Sequence, residues 1–173
     1  MIALMVKLAP NVERAWMDLQ DELFLRHHLV STRLFPPLIP IARIPSPGPE
    51  DRELILSLER IRKSHPLELR GVRNGEGHTV SVPLEITGFA ELLQAVGTAF
   101  PAARFDGDAP RIVLAWDREE TVPGPLPYLP ATPVTRAFWL WAVELNPGGD
   151  REKWWISAQW REIFRRRTTV RQE

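Results

Sequence analysis

Pro37-Leu38-Ile39-Pro40-Ile41-Ala42 returns 73 positions later as Pro110-Arg111-Ile112-Val113-Leu114-Ala115, with the shared pattern Pro-x-Ile-x-(Ile/Leu)-Ala. Each copy closes the same succession of elements. In the first round the apolar run Ile2–Leu8 is followed by a helix-patterned run, Asn11–His28, and then by the repeated strand. In the second, His78–Ile86 is followed by Phe89–Ala99 and again by the strand. Two strand-helix-strand units closed by matching hexapeptides predict a duplicated, two-lobed α+β domain spanning residues 1–173. Alternate residues of a strand share a face. Leu38, Pro40 and Ala42 are therefore expected on one face with Arg111, Val113 and Ala115, while Ile39, Ile41, Ile112 and Leu114 point into the core.

The runs between the repeats fill in the rest. Ile2–Leu8 is apolar on both faces until Lys7, the pattern of a central strand. Asn11 is the expected N-cap of the first helix. Val12, Trp16, Leu19 and Leu23 supply its apolar stripe, with Asp18, Gln20, Asp21 and Glu22 mostly on the far side. Glu50–Lys63 reads as a second helix with Leu54, Leu58 and Ile61 inward. Leu67–Arg73 and His78–Ile86, separated by Asn74-Gly75-Glu76-Gly77, read as a hairpin. Within it Pro83 marks an edge strand or a bulge. Phe89, Leu92, Leu93 and Val96 face inward from a third helix, whose end Gly97 is expected to fray. Asp117–Pro133 is a proline-rich loop long enough to cover a site. Val134–Leu145 is a strand, and Lys153–Arg167 its partner across the Asn146–Asp150 turn. A helix also fits that last run, but the short turn and the aromatic residues favour the strand.

Composition narrows the function classes. Lys plus Arg equals Asp plus Glu at 22 each, so no bulk charge draws the chain to nucleic acid or membrane. The absence of cysteine excludes disulfides, zinc-thiolate sites and cysteine nucleophiles. No long apolar run and no leader pattern is present, which makes the cytoplasm the expected compartment and a membrane partner unexpected.

In this order of elements and in the two motif contexts, residues 1 to about 145 resemble the 2H phosphoesterase superfamily, the 2′-5′ RNA ligase-like (LigT-like) or cyclic phosphodiesterase fold. That resemblance implies antiparallel sheets around a central cleft with helices packed outside. It also implies a His-x-(Thr/Ser) motif on each repeated strand, one histidine acting as general base and one as general acid, with the hydroxyls holding phosphate oxygens. Here the histidine positions hold Leu38 and Arg111, and the hydroxyl positions hold Pro40 and Val113. Leucine, proline and valine cannot move a proton, and arginine stays protonated. The expectation is a vacated active site: a pseudoenzyme acting as a nucleotide-, RNA-end- or protein-binding module, without cofactor or metal. The alternative is an active phosphoesterase using other residues.

Four histidines could supply such chemistry. His27-His28 closes a helix, where the dipole favours a proton-binding group; neighbours there point about 100° apart, which favours a structural role over a metal or catalytic one. His65 opens another strand beside Pro66. His78 ends an apolar face and is the fallback catalytic candidate, although a core or rim role suits it better. Arg111 is the ligand-binding candidate, a guanidinium able to hold an anion by bidentate bonds; a pairing with Asp106, Asp108 or Asp117 is the plainer reading. The run Trp160-Arg161-Glu162-Ile163-Phe164-Arg165-Arg166-Arg167 interleaves aromatics and cations as single-stranded RNA sites do, but fits a solvated terminus better.

Overall fold

The computed structural model describes residues 1–45, 48–73, 81–116, 126, 128–147 and 158–167. Ile2–Leu8 forms β1, buried on both faces except at Lys7, because it lies between two strands and under a helix layer. Helix α1 (Pro10–His27) follows at once. Its N-cap is Ala9, not Asn11: proline's fixed φ and missing N–H suit the first helical position, and the Ala9 carbonyl accepts from the Val12 and Glu13 amides. A short 3₁₀ turn (Val30–Arg33) then leads to β2 (Leu38–Ile44).

Next come α2 (Asp51–Ser64), β3 (Glu68–Val72), β4 (Ser81–Thr87), α3 (Phe89–Ala99), β5 (Arg104–Phe105) and β6 (Arg111–Val113). The described chain ends with the long pair β7 (Phe138–Asn146) and β8 (Gln159–Arg167). The C-terminal run is thus a strand over its described part, laddered antiparallel to β7. Residues 153–157, where the strand was expected to begin, lie outside the described residues.

All pairings are antiparallel, in the order β3-β4-β6-β2-β1-β7-β8, with β5 added on β2. The repeated strands β2 and β6 are therefore neighbours at the middle of the sheet. Outward from their junction, β6 is followed by β4 and β3, and β2 by β1 and β7.

The three helices cover one face. Val12, Trp16, Leu19 and Leu23 of α1, Leu54, Leu58 and Ile61 of α2, and Phe89, Leu92 and Val96 of α3 share one core with Leu4, Val6, Ile39, Ile41, Ile112 and Leu140 of the sheet. The second face carries a smaller apolar cluster, built on Ala3, Met5, Phe35, Leu38, Trp141, Val143 and Leu145. Among the described residues no helix is long and apolar enough to cross a membrane.

Several local expectations are corrected. Ala42 joins the helix-side core with Ile41 because the β1–β2 register shifts between Leu4 and Met5, which face Ala42 and Pro40 and leave Ile41 as the extra residue. Ala115, just past β6, is buried in the same core. Pro83 marks no edge: β4 lies between β3 and β6, and the Pro83 carbonyl accepts from the Arg73 amide. The irregularity lies instead in β3, between Leu69 and Gly71. Gly97 does not end α3 but lets Phe105 pack on it, since a Cβ there would sit 3.3 Å from the Phe105 ring. Gly88, the N-cap of α3, has φ +85°, and a Cβ there would fall 2.4 Å from the Pro66 carbonyl oxygen. Only glycine fits that close crossing over the start of β3.

Candidate functional site

The four positions that the resemblance singles out, Leu38, Pro40, Arg111 and Val113, lie on β2 and β6, where Leu38 is the register partner of Val113. Leu38 is fully buried, Val113 is buried, Pro40 is half-buried and Arg111 is exposed. The burial of Leu38 has a specific cause. Phe35, three residues before it, meets Trp116 edge-on at 6.0 Å and Trp141 edge-on at 6.1 Å, with Trp160 of β8 at 5.5 Å. Trp141 and Trp160 are themselves perpendicular, with ring centroids 5.5 Å apart. Such edge-to-face contacts add roughly 0.5–1.5 kcal/mol each beyond area burial. An aromatic roof thus stands over the position where the resemblance implies a catalytic imidazole.

Beside the roof lies a cavity of about 440 Å³ lined by Ala3, Met5, Phe35, Pro40, Trp116 and Leu145, among others. Arg43 and Asp106 are the charged side chains among its described lining residues, and they are paired at 2.6 Å. Arg111 reaches the same turn from outside, donating from Nη2 to the Asp106 backbone oxygen at 3.4 Å. The expected pairing of Arg111 with an acidic side chain is therefore corrected for Asp106, whose carboxylate is held by Arg43; Asp117 lies outside the described residues. Lys7 sits 5.3 Å over the Trp141 ring and 3.0 Å from Glu13, so its charge is already neutralised.

Gln20 ties the two halves of the site together. It is buried in α1, and its Nε2 donates to the Leu114 carbonyl at 2.8 Å and to the Phe35 carbonyl at 3.3 Å. One side chain thus fixes the approach to β2 and the exit from β6, against the expectation that it would face away from the sheet. Gln20→Leu will strand two buried carbonyls, and urea denaturation is expected to show a loss of about 2–4 kcal/mol, at 1–3 kcal/mol per unsatisfied group. A loss under about 0.5 kcal/mol would mean that the bridge is dispensable. Ser31 of the 3₁₀ turn plays a similar part for the roof, its Oγ accepting from the Trp116 amide at 2.9 Å.

The histidines assemble no second site among the described residues. His28 caps α1 in the left-handed region (φ 56°) beside His27, and His65 caps α2 with Nδ1 3.1 Å from the Ile61 carbonyl. His78, the fallback catalytic candidate, lies outside the described residues. No group of three or more metal-ligating side chains is gathered among the described residues.

The long loop after β6 is described only in part. Its Tyr128 lies near Asp18 and Glu22 of α1; desolvation and then those two carboxylates raise its phenol above the ordinary value.

The C-terminal arginines are exposed, as a solvated terminus would be, and several are also paired. Arg161 bridges Glu144 at 3.0 Å and Asp51 of α2 at 3.2 Å, which raises its pKa further, and Arg166 approaches Glu59 of α2 at 3.9 Å. These pairs latch β8 to α2 and use charge that an RNA footprint would need.

No family model, no curated protein and no solved structure matches the chain.

Proposed function

We propose that this chain is a degenerate 2H phosphoesterase-like domain that has lost two-histidine catalysis and works as a binding module through its former cleft. The carrying observation is that Leu38 faces Val113 across the two central strands, while none of Leu38, Pro40, Arg111 and Val113 can accept and return a proton. The strand order supports the duplication behind this reading: β4-α3-β6 and β1-α1-β2 are each a strand, a helix and an adjacent antiparallel strand, and they meet at β6 and β2. The ligand that the resemblance implies is a nucleotide or an RNA end, with a protein partner as the remaining class.

Arg111, exposed at the start of β6, is the cation best disposed to meet a phosphate. Titration with adenosine monophosphate and with a short single-stranded RNA tests this. Arg111→Ala is expected to weaken binding roughly tenfold or more, given about 1.5–3 kcal/mol for a charged hydrogen bond. If neither compound binds the wild type, the anion site at Arg111 fails and a protein-binding role is left.

A further inference from the structure

The cavity beside the aromatic roof is poorly suited to a nucleobase. Among its described lining residues there is no serine, threonine, asparagine or glutamine, and Met5, Phe35, Pro40 and Leu145 offer only apolar surface. A base or a ribose buried there would leave ring-edge or hydroxyl groups unpaired, each at a desolvation cost. The lining instead fits an apolar body, flat enough to lie along Phe35 and Trp116 and packed by a flexible methionine.

The rim differs from the floor. Arg43 is about half exposed while Asp106 is mostly covered. Their contact is Nη2 of Arg43 on Oδ1 of Asp106, and Arg111 donates to the Asp106 backbone. Arg43 is thus the cation that lines the mouth, with Asp106 as its counter-ion, and Arg111 stands outside the cavity at the same turn. Ligand pockets of roughly 300–1,000 Å³ with few polar groups take small molecules whose orientation those groups fix. At the ~30 Å³ share of a water molecule, this cavity has room for about 15 groups of that size.

We infer that the cavity binds a small monoanion with an apolar, preferably aromatic body, an aryl carboxylate in chemical class, with the body under Phe35 and Trp116 and the carboxylate at Arg43. The inference rests on reading the cleft as a binding site without the ancestral chemistry, and for this cavity it replaces the nucleotide that the resemblance implies, which is left to the exposed Arg111 outside it.

The probe is 2-naphthoate, titrated calorimetrically into the full chain, with 2-naphthalenemethanol, 2-naphthylmethylamine and adenosine monophosphate as comparisons. Saturable binding of the acid is expected, at least tenfold tighter than that of the alcohol, with the amine weaker still. Arg43→Met will lose tenfold or more. Asp106→Asn, which removes the competing carboxylate, will gain several-fold. Ala3→Phe, which fills the floor, will abolish binding; thermal melts establish that each variant is folded. Saturation that Ala3→Phe leaves unchanged would move binding elsewhere and overturn the proposal. So would equal affinity for acid and alcohol, tighter binding of the mononucleotide, or no saturation up to the solubility limit. Turnover of a cyclic nucleotide would instead overturn the non-catalytic reading and leave these titrations to stand by themselves, so the two failures are distinguishable.

Discussion

Incubated with a 2′,3′-cyclic nucleotide or a 2′-5′-linked dinucleotide, the purified protein will return the substrate intact. General acid–base catalysis contributes about 10²–10⁴-fold per group. Losing both groups amounts to roughly 10⁴–10⁸-fold, or about 5–11 kcal/mol of barrier, relative to a two-histidine enzyme. Binding residues cannot recover that deficit. Arg111 can stabilise negative charge but cannot exchange a proton at working pH, and Leu38 is sealed from solvent. Chromatography of the reaction over hours, beside an active cyclic phosphodiesterase as standard, reads the result. The control that matters is His78→Ala. Turnover present in the wild type and absent in that variant would assign His78 a catalytic role and end the pseudoenzyme reading. Turnover untouched by substitution of each of the four histidines would identify a contaminant or a different mechanism.

How far the fold was legible depends on what kind of signal each residue carries. The stripes Val12-Trp16-Leu19-Leu23 and Leu54-Leu58-Ile61 came through intact because apolar periodicity is a local property that tertiary packing reinforces. The repeat at residues 37 and 110 was readable for the same reason: the buried faces of β2 and β6 had to keep matched isoleucines and leucines. Polarity alone puts Gln20 on the exposed side of α1, where the structure does not have it. Its spacing, four residues from Trp16 and three from Leu23, already put it on the buried stripe.

Other features had no local signal. The bulge at Ile41 arises from pairing with β1 and turns Ala42 toward the helices, which no period-two reading can anticipate. The aromatic roof assembles Phe35, Trp116, Trp141 and Trp160 from four separate segments, so its existence is a property of the fold alone. Arg43 and Trp116, which line the cavity, each stand just outside the repeated hexapeptide, so the repeat carries no signal for them. Leu38, Pro40, Arg111 and Val113 are legible residue by residue, whereas the aromatic packing around Leu38 is not.

The packing around Leu38 makes a second strong prediction, for the substitution that would place a histidine there. Leu38→His is expected to destabilise the protein by about 2–4 kcal/mol near neutral pH. The change removes a fully buried leucine, worth roughly 1.5–3 kcal/mol, and puts an imidazole among Met5, Phe35 and Trp141 with no designed partner. Against a total stability of about 5–15 kcal/mol this is a large share. The pH dependence has a definite sign. Burial disfavours the charged form, so the folded-state pKa of this imidazole will lie below its ordinary value of about 6.5. Below that value the unfolded chain binds the extra proton and the folded chain does not. The destabilisation must therefore grow as the pH falls, by up to about 1.4 kcal/mol per unit until the folded-state pKa is reached. Urea denaturation at pH 7.5 and pH 5.5, with Leu38→Met as the volume-conserving control, measures both effects. A cost below about 1 kcal/mol with no pH dependence would mean that water reaches position 38, and the aromatic roof would not be a seal. The predicted result would mean that packing opposes an imidazole at position 38: a histidine there destabilises the fold before it can serve any reaction.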